Sequence, residues 1–542
     1  MLKVKKFAAC SFMATVLVAS TLLSPFSAAT SASAATTVNK GIYKPTPIGI
    51  GTNIDVSTRD PGVATYVGRD MYIGGKPSDP SILGAENAPT GSYAVEAEGL
   101  TVVQGKLALN PLKESWPYTD SNNNTSGAGF RFGTVGFGSH FRPVDGSTVL
   151  AVAGIDSAIT YMSVGYSGDL PGKTTVGAWN KGAWVGQQKS SEGATPSGFA
   201  YTAQIAGPIT YWRDYNERQS VVTMQGNWYE GKDSQESNLF YQTDVLADVN
   251  GKDYTNFLES EVKAKISTPL AKLDPTGGYT VGVAEENLNY TIKKYNNSDN
   301  RPTYGLKFDN STKNFTRKTN YTDVNGNNAS AQVELVNNEK LITFTGNANE
   351  SGNGSPLQVF NLEASDLTNS IGDTTYRGVD FSFNKIPVGA SVVVNIIDDD
   401  KPATPVEFNT GWRFWWNGEE ISRGYEEGDT PEAKHLGAQY STAAQSILWN
   451  FATASQVTIR GGMALEGIGG DGKWTDDDPA AAMLGSIVVP NGSFEDHVTT
   501  NGRVYVGGDF QMYNPTVAWD FTNLEGKSAS VIDMDQERHN FP

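Results

Sequence analysis

The sequence predicts an all-β protein, an irregular β-solenoid (β-helix) with one packed α-helix and long surface insertions. The 542 residues include 58 glycines and only 18% charged residues, which suits turn-rich sheets better than helix bundles. From Val63 onward, apolar runs of about four to eight residues rich in Val, Ile, Phe and Thr alternate with Gly, Asn and Asp. The segments 66–70 (YVGRD) and 505–509 (YVGGD) also echo each other, which indicates internal repetition unless the similarity arose by chance.

The first residues predict export from the cell. A basic start (MLKVKK) precedes an apolar stretch, and Ala32, Ser33 and Ala34 form a cleavage site, so residues 1–34 are interpreted as a signal peptide. A signal-anchor helix is the alternative. Residues 35–62 are interpreted as an extended lead-in to a domain covering 63–542. The single cysteine, Cys10, lies in the leader, so the mature chain holds no disulfide.

The net charge of the chain limits the kinds of partner that it can bind. The formal net charge is −18, whereas nucleic acids and anionic membranes demand a positive surface, so we expect neither as a partner. No later apolar run approaches the ~18 residues that span a bilayer, so we expect no membrane insertion after cleavage. The last residues (DMDQERHNFP) show no sorting motif or hydrophobic tail. We therefore expect a secreted protein, which is released, held at the cell surface by a partner, or part of a surface assembly.

One helix is predicted over residues 253–267. Tyr254, Leu258, Val262 and Ile266 recur at steps of four, and Asp253 is a candidate N-cap. The following DPTGG at 274–278 ends it. Because an isolated helix of this length is marginal, we expect its apolar stripe to lie along a sheet.

Two polar stretches, about 113–240 and about 285–330, are poor in strand-like alternation and rich in Asn, Ser, Gly and aromatic residues. We interpret both as surface insertions, where ligand contacts tend to concentrate.

The stretch 406–420 (VEFNTGWRFWWNGEE) predicts a half-buried strand. Its even positions from 406 to 416 are apolar except for one threonine, and its odd positions are polar except for Trp415. The pair Asn417 and Gly418 then predicts a tight turn. Most of these aromatic residues are therefore core. Trp415, with Arg413 beside it on the polar face, is the candidate ligand-binding platform, unless a neighbouring loop covers it.

From about residue 340 onward, seven segments resemble the choice-of-anchor A family of bacterial surface proteins, in the family's order. They are 341–370, 379–396, 406–420, 445–459 (QSILWNFATASQVTI), 485–495 (GSIVVPNGSFE), 501–514 (NGRVYVGGDFQMYN) and 537–542 (ERHNFP). The predicted helix lies where the family has its single helix, and residues 91–110 resemble its opening strands loosely. The insertion at 467–483 exceeds the family's usual spacing. The resemblance implies a β-solenoid like that of ice-binding-like adhesive domains, displayed on a bacterial surface.

No catalytic or metal-binding motif stands out. None of the four histidines, His140, His435, His497 and His539, lies at zinc-ligand spacing from another His or from Cys. The acidic runs 398–400 and 476–478 are interpreted as solvated loops, with calcium as the alternative, and 323–328 (DVNGNN) lacks the spacing of an EF-hand. We therefore predict no catalytic residues, no metal site and no cofactor.

These observations favour a non-enzymatic, secreted or cell-surface bacterial adhesin that binds a host extracellular matrix protein or a glycan. Two alternatives remain open: a polysaccharide-acting β-helix enzyme, because 59 acidic residues offer many pairs, and a structural component of a biofilm or surface assembly.

Overall fold

The fold is taken from a computed structural model. The ranges it describes are 62–78, 92, 94–109, 118–119, 125–126, 130–134, 143–144, 147–154, 160–161, 183–185, 202–205, 209–212, 221–224, 238–241, 244–284, 307–309, 314–322, 328–336, 339–376, 378–398, 404–422, 431–461, 465–467, 482–513 and 536–541. The predicted signal peptide and nearly all of the predicted lead-in lie outside these residues.

The described chain is mostly β. Its first strands are β1 (Val63–Val67), β2 (Met71–Ile73), β3 (Ala94–Glu98), β4 (Leu100–Val103), β5 (Leu107–Leu109), β6 (Tyr118–Thr119), β7 (Thr125–Ser126), β8 (Phe130–Thr134), β9 (Thr148–Val152), β10 (Thr160–Tyr161), β11 (Ala183–Val185), β12 (Thr202–Ile205), β13 (Ile209–Trp212), β14 (Val221–Met224) and β15 (Asn238–Tyr241). The next are β16 (Gly278–Val283), β17 (Lys307–Asp309), β18 (Asn314–Thr322), β19 (Asn328–Val336), β20 (Lys340–Thr345), β21 (Leu357–Glu363), β22 (Ser370–Ile371), β23 (Thr374–Thr375), β24 (Val379–Asn384), β25 (Ser391–Ile397), β26 (Pro405–Trp416) and β27 (Glu419–Glu420). The last are β28 (Ile447–Asn450), β29 (Gln456–Gly461), β30 (Leu465–Gly467), β31 (Ala482–Leu484), β32 (Ser486–Val489), β33 (Ser493–Asp496), β34 (Thr499–Asn501), β35 (Val504–Val506), β36 (Phe510–Met512) and β37 (Gln536–His539).

Three sheets with long parallel ladders hold most of these strands. Sheet A has the order β15-β12-β9-β4-β1-β35-β32-β28-β25-β21, and sheet C has the order β11-β8-β3-β37-β34-β31. Sheet B has the order β14-β13-β10-β5-β2-β36-β33-β29-β26-β24-β20-β16, with β27 beside β26. Smaller antiparallel groups are β17-β18-β19-β30, β22-β23 and β6-β7. The expectation of a strand-rich chain is confirmed.

The chain visits the three sheets in a repeating order. From β2 to β12 it passes through sheets B, C and A three times, leaving aside the hairpin β6-β7, and from β29 to β37 it follows the same order, leaving aside β30. The two series meet side by side: β1 pairs with β35, β2 with β36 and β3 with β37, all in parallel. We call these three strand pairs the junction.

The two echoing pentapeptides are neighbours at the junction. Tyr66 pairs with Tyr505 and Val67 with Val506 in adjacent parallel strands. The Gly68 N–H then donates to the Val506 carbonyl oxygen at 2.8 Å, and the Arg69 N–H donates to that of Gly508 at 3.1 Å. A Cβ at Gly68 would lie 2.4 Å from the Gly507 oxygen, so the close approach of the two backbones requires glycine here.

Aromatic side chains from successive strands fill the interior at the sheet B side. Phe344 and Phe383 stack with ring centroids 4.7 Å apart, and Phe383 and Phe414 stack at 5.5 Å. Trp449 of sheet A is fully buried against Phe344 and Phe383, and its indole N–H donates to the Leu484 carbonyl oxygen at 2.7 Å. These contacts join sheets A and B through one apolar core.

The predicted helix is confirmed with shifted bounds. Helix α1 (Leu258–Ser267) has π-type hydrogen bonding and continues into α2 (Thr268–Leu270). Asp253 is not its N-cap, because its carboxylate accepts the Thr255 N–H in a turn before the helix. As expected, the helix covers a sheet: Val262 and Ile266 are buried in a cluster with side chains of sheet A, Tyr66, Val359, Val393 and Tyr505 among them.

A ladder of asparagines holds the end of this helix. Asn361, Asn395 and Asn450 lie in register on β21, β25 and β28. The Asn450 side chain donates to the Ser267 carbonyl oxygen at 3.0 Å, and that of Asn395 donates to the Leu270 carbonyl oxygen at 2.9 Å. The ladder therefore adds side-chain donors to the Ser267 and Leu270 carbonyls, which also accept the Ala271 and Leu273 N–H groups, and ties the end of the helix to sheet A.

The prediction of a single helix is wrong, because α3 (Pro431–Ser446) is a second one. Its buried residues Leu436, Tyr440, Ala443 and Ala444 follow helical spacing. Two of the four are alanines, so the stripe gives only a weak apolar signal in the sequence.

The predicted insertions contain strands of the sheets. Within 113–240, β9 is buried between β4 and β12 of sheet A, and β8 pairs with β3 in sheet C. Within 285–330, the hairpin β18-β19 begins. The remaining parts of both stretches lie outside the described residues. None of the described helices is long and apolar enough to cross a membrane.

Candidate functional site

Strand β26 separates an apolar face from a polar one, as its sequence predicts. Val406, Phe408, Phe414 and Trp416 are buried in the core, and Trp415 points to the other face and is partly exposed. The side chain of Trp412 lies outside the described part of the chain. The predicted turn is confirmed, since Asn417 and Gly418 have φ of 50° and 88° and connect β26 to β27.

Arg413 lies beside Trp415 on the polar face of β26, as predicted, but its side chain is buried. Its side chain is 1% exposed, and its Nε donates to Asp380 Oδ2 at 2.9 Å and to Glu339 Oε2 at 3.1 Å. Both carboxylates are buried too. The guanidinium therefore has a buried ion-pairing role.

Two buried carboxylates share this one guanidinium. Burial and the neighbouring Glu339 raise the pKa of Asp380 well above its usual range, against the opposing effect of Arg413. The site also excludes a side chain at Gly411, where a Cβ would lie 1.9 Å from Asp380 Oδ1. The bulge in the pairing of β24 with β26 falls between Val379 and Phe381 and brings Asp380 to this position.

The buried ion cluster of Arg413, Asp380 and Glu339 supports the indole of Trp415. The Arg413 guanidinium carbon lies 5.3 Å from the ring centroid, within the range of a cation–π contact. Because Glu339 and Asp380 fix the guanidinium, the ring rests on a rigid base.

A row of hydroxyl side chains extends from Trp415 across sheet B. Ser382 is opposite Trp415, Thr343 is opposite Ser382, and Thr280 is opposite Thr343. All four side chains lie on the face away from the core, since their strand neighbours Phe383, Phe344 and Trp416 are buried. We call Trp415, Ser382, Thr343 and Thr280 the Trp415 strip. Strand spacing makes it roughly 14 Å long. Exposure increases along it, from buried Ser382 through partly exposed Thr343 to exposed Thr280.

An aromatic ring beside aligned hydroxyls suits a ligand with an apolar face and hydroxyl edges. The indole offers its ring for stacking, and the threonines donate and accept hydrogen bonds. Of the four residues of this strip, sequence analysis singled out Trp415 and missed the three hydroxyl residues, because their register with β26 depends on pairing between strands that are not neighbours in the sequence.

A second polar cluster lies at the junction, where Glu96, Glu98 and His539 place one potential ligand atom each within 4.8 Å of the others. All three are buried. The His539 ring lies between Asn501 Oδ1, 2.9 Å from its Nδ1, and Glu537 Oε2, 2.7 Å from its Nε2. These residue types fit a cation, but both ring nitrogens already have protein partners, so we interpret the cluster as a structural contact between β3, β34 and β37.

Burial shifts the pKa of two carboxyls near the junction. Burial raises the pKa of Glu98 to about 7; His539 opposes this shift and Glu96 adds to it. Burial also raises the pKa of Asp496 to about 8, and the Val498 N–H and His497 oppose that shift. The folded state therefore retains protons that the unfolded chain has already lost above about pH 4.5.

The free energy of unfolding should consequently fall as the pH rises from about 5 to 8.5. A pKa that is higher by one in the folded state than in the unfolded chain corresponds to about 1.4 kcal/mol, and this stability is lost as pH rises through the folded-state pKa. Urea unfolding at the two pH values measures the change. In Asp496→Asn the fall should be smaller by at least about 1 kcal/mol; an equal fall in variant and wild type would contradict this assignment.

The other residues singled out in the sequence are dispersed. His435 contacts Glu419 at 2.9 Å, and His497 contacts Glu495 at 2.7 Å. Asp398 accepts a hydrogen bond from the Thr404 hydroxyl. His140, the run 476–478 and the loop 323–327 lie outside the described residues.

Comparison with known proteins adds no assignment. No family model matches this chain, and neither a curated protein nor a solved structure matches it. The resemblance to the choice-of-anchor A family thus remains a prediction from the seven segments.

Proposed function

We propose that the three ladders wind as one β-solenoid in which the N-terminal and C-terminal series are stacked at the junction. The repeated B, C, A order in both series supports this, and so does the parallel pairing of all three sheets at the junction. In such a solenoid each turn buries its apolar face against its neighbours, so the body is a rigid scaffold for surface sites.

On this scaffold we propose a secreted, surface-associated bacterial adhesin that binds a host matrix protein or glycan without catalysis. The observation that carries the proposal is the Trp415 strip, an indole fixed by the buried ion cluster and in register with three hydroxyl residues. The strip favours a glycan as the group recognised. Aromatic anchors on fixed supports supply much of the binding energy at such surfaces.

Binding of the mature protein to immobilised glycans and matrix proteins tests the proposal. For a ligand that binds wild type at micromolar concentration, Trp415→Ala should weaken binding at least about tenfold, or about 1.4 kcal/mol. Glu407→Ala is the matched control, because Glu407 is exposed on the same strand outside the strip and should leave the affinity unchanged.

Three results would count against the proposal. If no glycan or matrix protein binds wild type, the adhesin function fails, and if Trp415→Ala binds as tightly as wild type, the strip is not the site. Release of soluble products from a polysaccharide would favour the enzymatic alternative instead. Circular dichroism of each variant establishes that the fold is retained.

A further inference from the structure

The ends of sheets A and B differ in how they are covered. At β21, the end of sheet A, the Thr276 N–H donates to the Val359 carbonyl oxygen at 2.9 Å, and the Val359 N–H donates to the Thr276 hydroxyl at 2.8 Å. At the corresponding end of sheet B, β16 pairs only with β20 among the described residues. Its Thr280, Gly282 and Val283 are exposed, Val283 at 49%.

The register shows which backbone groups of β16 face outward. The Ala284 N–H donates to the Glu339 carbonyl oxygen at 3.1 Å, one step beyond the pair Val283–Lys340. Since hydrogen-bonded and non-hydrogen-bonded pairs alternate in antiparallel strands, Gly278, Thr280 and Gly282 bond to β20. The N–H and carbonyl groups of Tyr279, Val281 and Val283 therefore point to the open edge.

Among the described residues, this edge lacks the usual protection against pairing. Exposed edges of soluble proteins commonly carry lysine, proline or a bulge, whereas β16 (GYTVGV) has none of these residues and pairs with β20 in unbroken register. It also has no charged side chain. In a chain with a net charge of −18, it is a place where two copies can approach without direct like-charge contact.

We propose that β16 is a homodimer interface, at which two copies pair antiparallel about a two-fold axis midway between the two Val281 residues. An antiparallel edge is complementary to its own copy, because each outward N–H meets an outward carbonyl. Val281 then lies opposite Val281 of the partner subunit, and Tyr279 lies opposite Val283 of the partner subunit. Sheet B continues into the second copy with the same face outward, so both Trp415 strips lie on one surface.

The mass of the mature protein by sedimentation velocity in about 0.15 M salt tests this interface, since salt at that concentration screens charge repulsion beyond about 8 Å. Wild type should change from monomer to dimer with rising concentration. Val283→Pro should remain a monomer, because proline removes an outward N–H, is tolerated at a strand edge and leaves the bonds to β20 in place. Val283→Glu, which adds a charge beside the edge, should also remain a monomer.

The control is Val388→Ser, which removes an apolar side chain that is 63% exposed in the turn between β24 and β25 and should still dimerise. Circular dichroism and the unfolding midpoint should be the same for the proline variant and wild type. A wild type that stays monomeric at the highest concentration, or a proline variant that dimerises equally well, would overturn the proposal. The result is independent of Trp415, so the binding assays and this test can fail separately.

Discussion

Arg413→Ala should lower the free energy of unfolding by about 3–5 kcal/mol. The reason is that the carboxylates of Asp380 and Glu339 are buried and both accept a hydrogen bond from the Arg413 Nε. Removing one partner of a buried ion cluster leaves uncompensated charge in a low-dielectric interior. Urea unfolding at neutral pH measures the loss.

Arg460→Ala is the matched control for this prediction. Arg460 also lies on sheet B and pairs with Glu407, but its side chain is 26% exposed and that of Glu407 is 62% exposed. Exposed ion pairs contribute about 0–1 kcal/mol. A similar small loss of stability for Arg413→Ala would show that its carboxylate partners reach water. It would contradict the claim that a buried ion cluster supports Trp415.

Arg538→Ala should have the next largest effect, about 3 kcal/mol or more, because it breaks contacts that tie β37 into the junction. Arg538 is fully buried; its Nη2 donates to the Glu98 carbonyl oxygen at 2.9 Å, and its Nη1 donates to that of Gly502. The substitution leaves both buried carbonyls without this donor and opens a cavity between β3 and β34.

Lys76→Ala is the control at the junction. Lys76 pairs with Asp509 across the same boundary, but its side chain is 32% exposed and the buried Asp509 keeps Arg69 as a second partner, so the loss of Lys76 should cost only about 1 kcal/mol. Equal effects of the two substitutions would contradict the assignment of Arg538 as a central contact of the junction.

The sequence predicted those elements whose signal is local. Alternation along β26 identified the buried aromatic face and the turn at Asn417, because strand periodicity and a type I′ turn depend on neighbouring residues. Steps of four residues identified α1, whereas α3 was missed because alanine forms half of its buried stripe. The two echoing pentapeptides at Tyr66 and Tyr505 lie side by side in adjacent parallel strands.

What the sequence did not predict depends on contacts between distant residues. The sequence predicts that Arg413 lies on the polar face of β26, but not its burial, because Arg413 meets Asp380 and Glu339 only after β24 and β26 pair around a bulge. Likewise, no pattern near His539 indicates that Glu96 and Glu98 approach it from the other end of the chain. The hydroxyl residues of the Trp415 strip were unpredictable for the same reason.

Hydrogen exchange across the junction tests the central claim, that the two series of strands form one continuous stack. The N–H groups of Gly68, Arg69 and Gly74 donate to carbonyls of the C-terminal series, and the Phe510 N–H donates to the Asp70 carbonyl oxygen. In a continuous stack, amides of 63–74 and of 504–512 should be protected to the same high degree and lose protection together as denaturant is added. Rapid exchange of 63–74 while 504–512 stays protected would contradict it.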